Sequence, residues 1–215
     1  MSDIFEEIDE ELRQDQVFQW WKKHSKLIIA GLVVLVVGMG GYFGYKQWSD
    51  SKRQAGGNQL QTALEAKTAG ETDAALATLS DLSSQGGSYG LLAQFERAKL
   101  LLEEGEREQA LAAYEAIASD STIEAEYRDL AVILSAFAQI GAASLSELER
   151  LLNPIMGVDR PYAASAKEIM ILAQIDAGET AAARTSIEAL QEEEEVPNGL
   201  QQRLTRYLAD LPEAE

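Results

Sequence analysis

Leu27–Tyr45 reads LIIAGLVVLVVGMGGYFGY, nineteen residues without a charge, closed by Lys26 and Lys46. No other stretch narrows so far what the chain can fold into. A helix rises about 1.5 Å per residue, so this one spans about 28 Å, close to the hydrocarbon thickness of a bilayer. Ten of its residues are Leu, Ile, Val or Phe, and each favours insertion by about 0.3–0.6 kcal/mol. Trp20 and Trp21 before it, and Tyr42, Tyr45 and Trp48 at its far end, sit where interfacial aromatic belts belong. The stretch predicts a single N-terminal transmembrane helix over 27–45. A mostly acidic leader precedes it and no small-residue cleavage pattern follows in YKQWSDSKRQ, so the anchor is expected to stay uncleaved.

The anchor divides the chain into a leader over 1–26, the span over 27–45 and a large domain over 46–215. The leader carries seven acids and four bases, and the domain 29 acids and 14 bases. Acidity on this scale argues against nucleic acid, because a phosphate backbone needs clustered Lys and Arg. Cysteine is absent, which excludes disulfides, zinc–thiolate sites and thiol nucleophiles. Lys22, Lys23 and Lys26 crowd the leading edge of the span, and this bias predicts a cytoplasmic N-terminus with the domain translocated. Residues 3–20 read as an acidic amphipathic helix capped by Asp3, with Ile4, Ile8 and Leu12 at helical spacing. It is either a solvated leader or a docking helix. Within the span, Gly40-x-x-x-Gly44 has the spacing that lets two helix backbones approach, which makes these glycines a candidate contact face.

From residue 46 onward the chain has 31 alanines and three valines, a composition that favours helix over strand. The expected fold class is all-α. Gly70, Gly105, Gly141 and Gly178 are 35, 36 and 37 residues apart, and each ends one helical pattern and opens another. Glycine suits the tight turn between antiparallel helices. Five residues on stand Ala75, Ala110, Ser146 and Ala183, where a small side chain allows a close crossing. Nine on stand Leu79, Tyr114, Arg150 and Ile187, of which Arg150 breaks the apolar pattern. This order and period resemble the tetratricopeptide repeat, and Ala98, Ala110 and Tyr114 match its small, small and aromatic positions. Four helical pairs are expected to stack into a solenoid, with Asn153–Gly157 distorting the third. Leu200–Leu211 would form a capping helix with Leu204, Leu208 and Leu211 inward and Arg203 and Arg206 outward. Glu192–Glu195 oppose the dipole at a helix C-terminus, so that helix should end in the turn Val196–Gly199.

Catalytic motifs find no support. The sole histidine, His24, lies beside the span and away from the domain. There is no phosphate-binding glycine loop, no H-E-x-x-H and no calcium-loop spacing. The expectation is a non-enzymatic protein without cofactor or metal. Helical stacks of this kind bind peptides or partner helices along a concave face lined by the first helix of each pair. By position in the repeat, Phe95, Lys99, Arg128 and Glu168 are the candidates for that face.

An acidic leader, one anchor and a degenerate tetratricopeptide-like domain together resemble the YfgM-like ancillary subunits of the bacterial SecYEG translocon. The stretches that carry the likeness are WWKKHSKLIIAGLVVLVVG, YRDLAVILSAFAQIG and PYAASAKEIMILAQIDAGETAAAR. The resemblance implies an inner-membrane protein with its domain in the periplasm, associated with the SecYEG translocon and a PpiD-like membrane-anchored chaperone and acting on emerging chains. It brings no catalytic residues. The alternative use of the same architecture is a scaffold for envelope assembly or cell division.

Overall fold

The computed structural model describes residues 3–157, 159–193 and 196–212, and for residues 3–21 and 24–33 the backbone alone. The described residues form nine α-helices, one 3-10 turn and no strand. They fall into two units, 1–56 and 57–215.

Helix α1 is Asp3–Thr68. In the first unit, Val34, Leu35, Val36, Val37 and Met39 are each more than half exposed, as are Tyr42, Phe43, Tyr45 and Trp48. Among the described residues no helix is long and apolar enough to cross a membrane. The expected span begins on residues 27–33, whose side chains lie outside the described residues, as does the amphipathic face expected of the leader.

The second unit contains α2 (Thr72–Ser84), α3 (Gly87–Glu103), α4 (Arg107–Ser119), α5 (Ala125–Gln139) and α6 (Leu145–Leu152). After a 3-10 turn at Asn153–Ile155 come α7 (Ala163–Asp176), α8 (Thr180–Gln191) and α9 (Asn198–Asp210). Its cores are local and sequential, as in a solenoid. Ala63 of α1 packs with Ala75, Leu79 and Leu82 of α2 and with α3. Ala98, Tyr114, Ile117 and Ala131 join α3, α4 and α5. Ile133, Leu148, Leu152 and Ile169 join α5, α6 and α7. Ile171, Ile187, Leu200 and Leu204 join α7, α8 and α9. Each buried Leu or Ile contributes about 1.5–3 kcal/mol of transfer free energy.

The four spaced glycines all adopt positive φ, at +79°, +83°, +76° and +75° for Gly70, Gly105, Gly141 and Gly178. Three of the turns are alike. Gly70, Gly105 and Gly178 donate to the carbonyls of Lys67, Leu102 and Ile175, and the following Glu71, Glu106 and Glu179 donate to those of Ala66, Leu101 and Gln174. This is the Schellman arrangement, and in each turn the glutamate is also the N-cap of the next helix. Ala75, Ala110 and Ala183 are completely buried one turn later.

The third turn departs from this pattern. Helices α2, α4 and α8 start two residues after their glycine, whereas α6 starts four after Gly141. Ser144 caps α6 in a capping box with Glu147, and the box delays the helix start. Ser146 and Arg150 are therefore exposed, and Leu148 and Leu152 take the buried positions. A Leu stands where the other pairs have Ala. The expected distortion after α6 appears as its eight-residue length and the 3-10 turn that follows.

In α9 and just after it, Leu204 is fully buried, Leu211 is buried, Leu208 is half-buried, and Arg206 is exposed. Helix α8 ends at Gln191, before the glutamate run.

Candidate functional site

Helix α4 packs against both α3 and α5. Beside that packing, α3 and the start of α5 form the walls of a groove of about 770 Å³. The apolar pattern of each helix supplies the walls. On α5, Tyr127, Leu130 and Leu134 recur at helical spacing and line the groove, and Phe137 continues the stripe at 60% exposure. On α3, Leu91, Leu92 and Phe95 face them.

Leu91, Phe95, Ile123 and Leu134 make the floor and rest in turn on the core of Ala98, Tyr114, Ile117 and Ala131. The rings of Phe95 and Tyr114 lie 6.4 Å apart. Burial raises the pKa of the Tyr114 hydroxyl, and nearby Glu96 adds to the rise. Higher on the walls, Leu92 and Tyr127 are 42% and 44% exposed. They are large apolar groups left in water beside a packed floor.

The rim is polar and carries Glu96, Lys99, Asp120 and Glu124. Asp120 accepts from the Thr122 hydroxyl at 2.7 Å and from its backbone N–H at 2.8 Å. These two bonds hold its carboxyl below the usual range, and Arg128 adds a smaller push in the same direction.

The four residues expected on a binding face do not all meet. Phe95 and Lys99 line this groove, and Phe95 is at once part of the core and part of the wall. Arg128 is half-buried and does not line it, and its Nε is buried without a hydrogen-bond partner among the described residues. Glu168 lies on α7 and is already engaged. Arg203 of α9 donates to its two oxygens at 2.6 and 2.7 Å, and the Tyr207 hydroxyl donates at 3.2 Å. The bonds to Glu168 raise the Arg203 pKa; burial raises that of Tyr207, with Glu168 second. Beside Arg128, the buried Asp129 pairs with Arg160 and so ties α5 to the segment before α7. Repeat position alone missed Leu92 and Tyr127. Their signal was present as bulky apolar residues off the core-facing register of α3 and α5.

Gly40 and Gly44 lie one turn apart on α1, and apart from its chain neighbours and the helix's own adjacent backbone no described atom stands within 4 Å of where a Cβ would be added to either. No three described His, Asp or Glu side chains come together in a way that would hold a metal ion.

Across residues 19–144, more than half of its length, the sequence matches the tetratricopeptide repeat-like domain family. The chain belongs to that family. Comparison with curated proteins and with solved structures gave no match. Tetratricopeptide repeat-like domains mediate protein–protein interactions, and the all-helical stack with glycine turns agrees with membership. The matched span takes in the apolar stretch as well as α2 to α5 and ends at Ser144, the cap of α6. The α3/α5 groove therefore lies inside the family's own boundaries.

Proposed function

We propose that the chain is a non-enzymatic adaptor anchored in the bacterial inner membrane by residues 27–45. Its repeat domain works in the periplasm, where it holds protein partners in the α3/α5 groove beside the SecYEG translocon and a PpiD-like chaperone. The observation that carries the reading is the groove itself, with Leu92 and Tyr127 exposed above an apolar floor. Uncovered apolar side chains beside convergent polar groups are what a docking surface offers a partner. The anchor is supported by the exposed run from Val34 to Tyr45, whose side chains need an apolar cover. The translocon and the chaperone are supported by the resemblance of the anchor, the Tyr127 stretch and the Pro161 stretch.

Site-specific photocrosslinking in native membranes tests this. A crosslinker at Leu92 or Tyr127 should capture translocon subunits or the chaperone, identified by mass. The same probe at Ala112, exposed on α4 and outside the groove, should capture neither. Equal capture from all three sites, or recovery of the chain alone, would reject the reading.

A further inference from the structure

We propose that the α3/α5 groove selects segments that combine bulky apolar side chains with Lys or Arg, and discriminates against acidic ones. The inference rests on the groove reading above and adds the chemistry of the occupant. The walls and floor supply the apolar half, with Leu92 and Tyr127 offered from opposite sides.

The charges on the rim supply the other half. Among the lining residues Glu96, Asp120 and Glu124 face a single base, Lys99. None of these four enters a salt bridge among the described residues, and Thr122 holds only one oxygen of Asp120, so all three carboxylates offer an acceptor to a ligand. They are not equivalent. Arg128 acts on Asp120 and offsets part of its charge. Glu124 is the N-cap of α5, where the helix dipole tempers a negative charge. Glu96 lies in the middle of α3, away from the helix ends, with Lys99 three residues on along the same rim. The surplus of acids over residues 46–215 adds a field of the same sign, which draws basic segments in and repels acidic ones. These carboxylates are exposed or half-buried, so the preference must weaken as salt shortens the Debye length from about 8 Å at physiological strength to about 3 Å at 1 M.

The test uses the full chain in neutral-lipid nanodiscs and three fluorescent synthetic peptides of equal length. All three contain the same Leu and Phe residues, interspersed with Lys, Ser or Glu. Anisotropy should show the Lys peptide binding about tenfold more tightly than the Ser peptide, the sum of a few exposed ion pairs, with the Glu peptide weaker still. High salt should compress the series. The double variant E96K/E124K should reverse the order. The double variant L92S/Y127S should weaken all three peptides. Far-ultraviolet circular dichroism establishes that each variant keeps its helices. If the three peptides bind equally and L92S/Y127S weakens them, the preference for bases is refuted while the groove stands. If nothing binds, or binding ignores L92S/Y127S, the groove and its specificity both fall.

Discussion

Gly105 shows how one residue makes a turn of this solenoid. Its φ of +83° lies in the left-handed region, where a Cβ meets the following carbonyl. Gly105→Ala should lower stability by about 1–2 kcal/mol in urea denaturation followed by circular dichroism, whereas Gly105→Asn, better tolerated at positive φ, should lose less. An unchanged midpoint for the alanine variant would mean that the turn relaxes without its left-handed residue. Gly57 acts differently. It sits within α1, and a Cβ there would meet the Tyr89 hydroxyl oxygen at 3.2 Å, so its role is to let that ring lie against the helix. Ser144 and Glu147 make the residue-scale case for pH. The Ser144 hydroxyl first, and its backbone N–H second, hold the Glu147 carboxyl below its ordinary value of 4.5. A depressed carboxylate stabilises the fold above its unfolded pKa, and that contribution is lost as pH falls through the folded value. Ser144→Ala should cost about 1 kcal/mol at neutral pH. The gap between the parent chain and Glu147→Gln should narrow as the medium is acidified below 4.5. A gap that widens on acidification would contradict the capping box.

At the scale of elements, most of the fold was legible because its signals are local. A left-handed turn demands glycine, and a close helix crossing demands a small residue one turn later. Gly70, Gly105 and Gly178 with Ala75, Ala110 and Ala183 display both requirements on the face of the sequence. The third pair was misplaced by two residues because register is set where a helix starts, and the glycine does not set it. The capping box Ser144-Leu145-Ser146-Glu147 was readable and marks the start of α6. Glu168 was not legible as a structural residue, because its partner Arg203 is 35 positions away on a helix that only folding brings near. Phe95 and Lys99 line the groove, whose shape depends on how α3 and α5 meet across α4. What holds α9 can be apportioned by experiment. Leu204 is fully buried, and Leu204→Ala should cost about 2–5 kcal/mol. The Arg203 side chain is 48% exposed while the Glu168 side chain it holds is 12% exposed, and Arg203→Ala should cost about 1–2 kcal/mol, since Tyr207 still donates to that carboxylate. Chemical denaturation of both variants decides the matter: a larger loss for Arg203→Ala would shift the hold on α9 from its apolar face to the ion pair.

For the whole molecule, the proposed anchor and groove on one chain would divide the work of finding a partner. A groove bounded by a few apolar side chains and exposed carboxylates supports modest affinity. Confinement to a membrane raises the local concentration of partners in the same membrane and makes modest affinity sufficient. This division requires residues 27–45 to span and the domain to lie on the partner's side. The chain has no cysteine, so single-cysteine variants report topology without background. Ser121→Cys, in the exposed turn between α4 and α5, should react with a membrane-impermeant maleimide in intact spheroplasts. Ser2→Cys should react only after permeabilisation, and the protein should resist carbonate extraction yet dissolve in detergent. The reverse labelling pattern would put the groove in the cytoplasm, where it would meet chains before export. Release by carbonate alone would remove the anchor, and with it the concentration effect on which a weak groove depends.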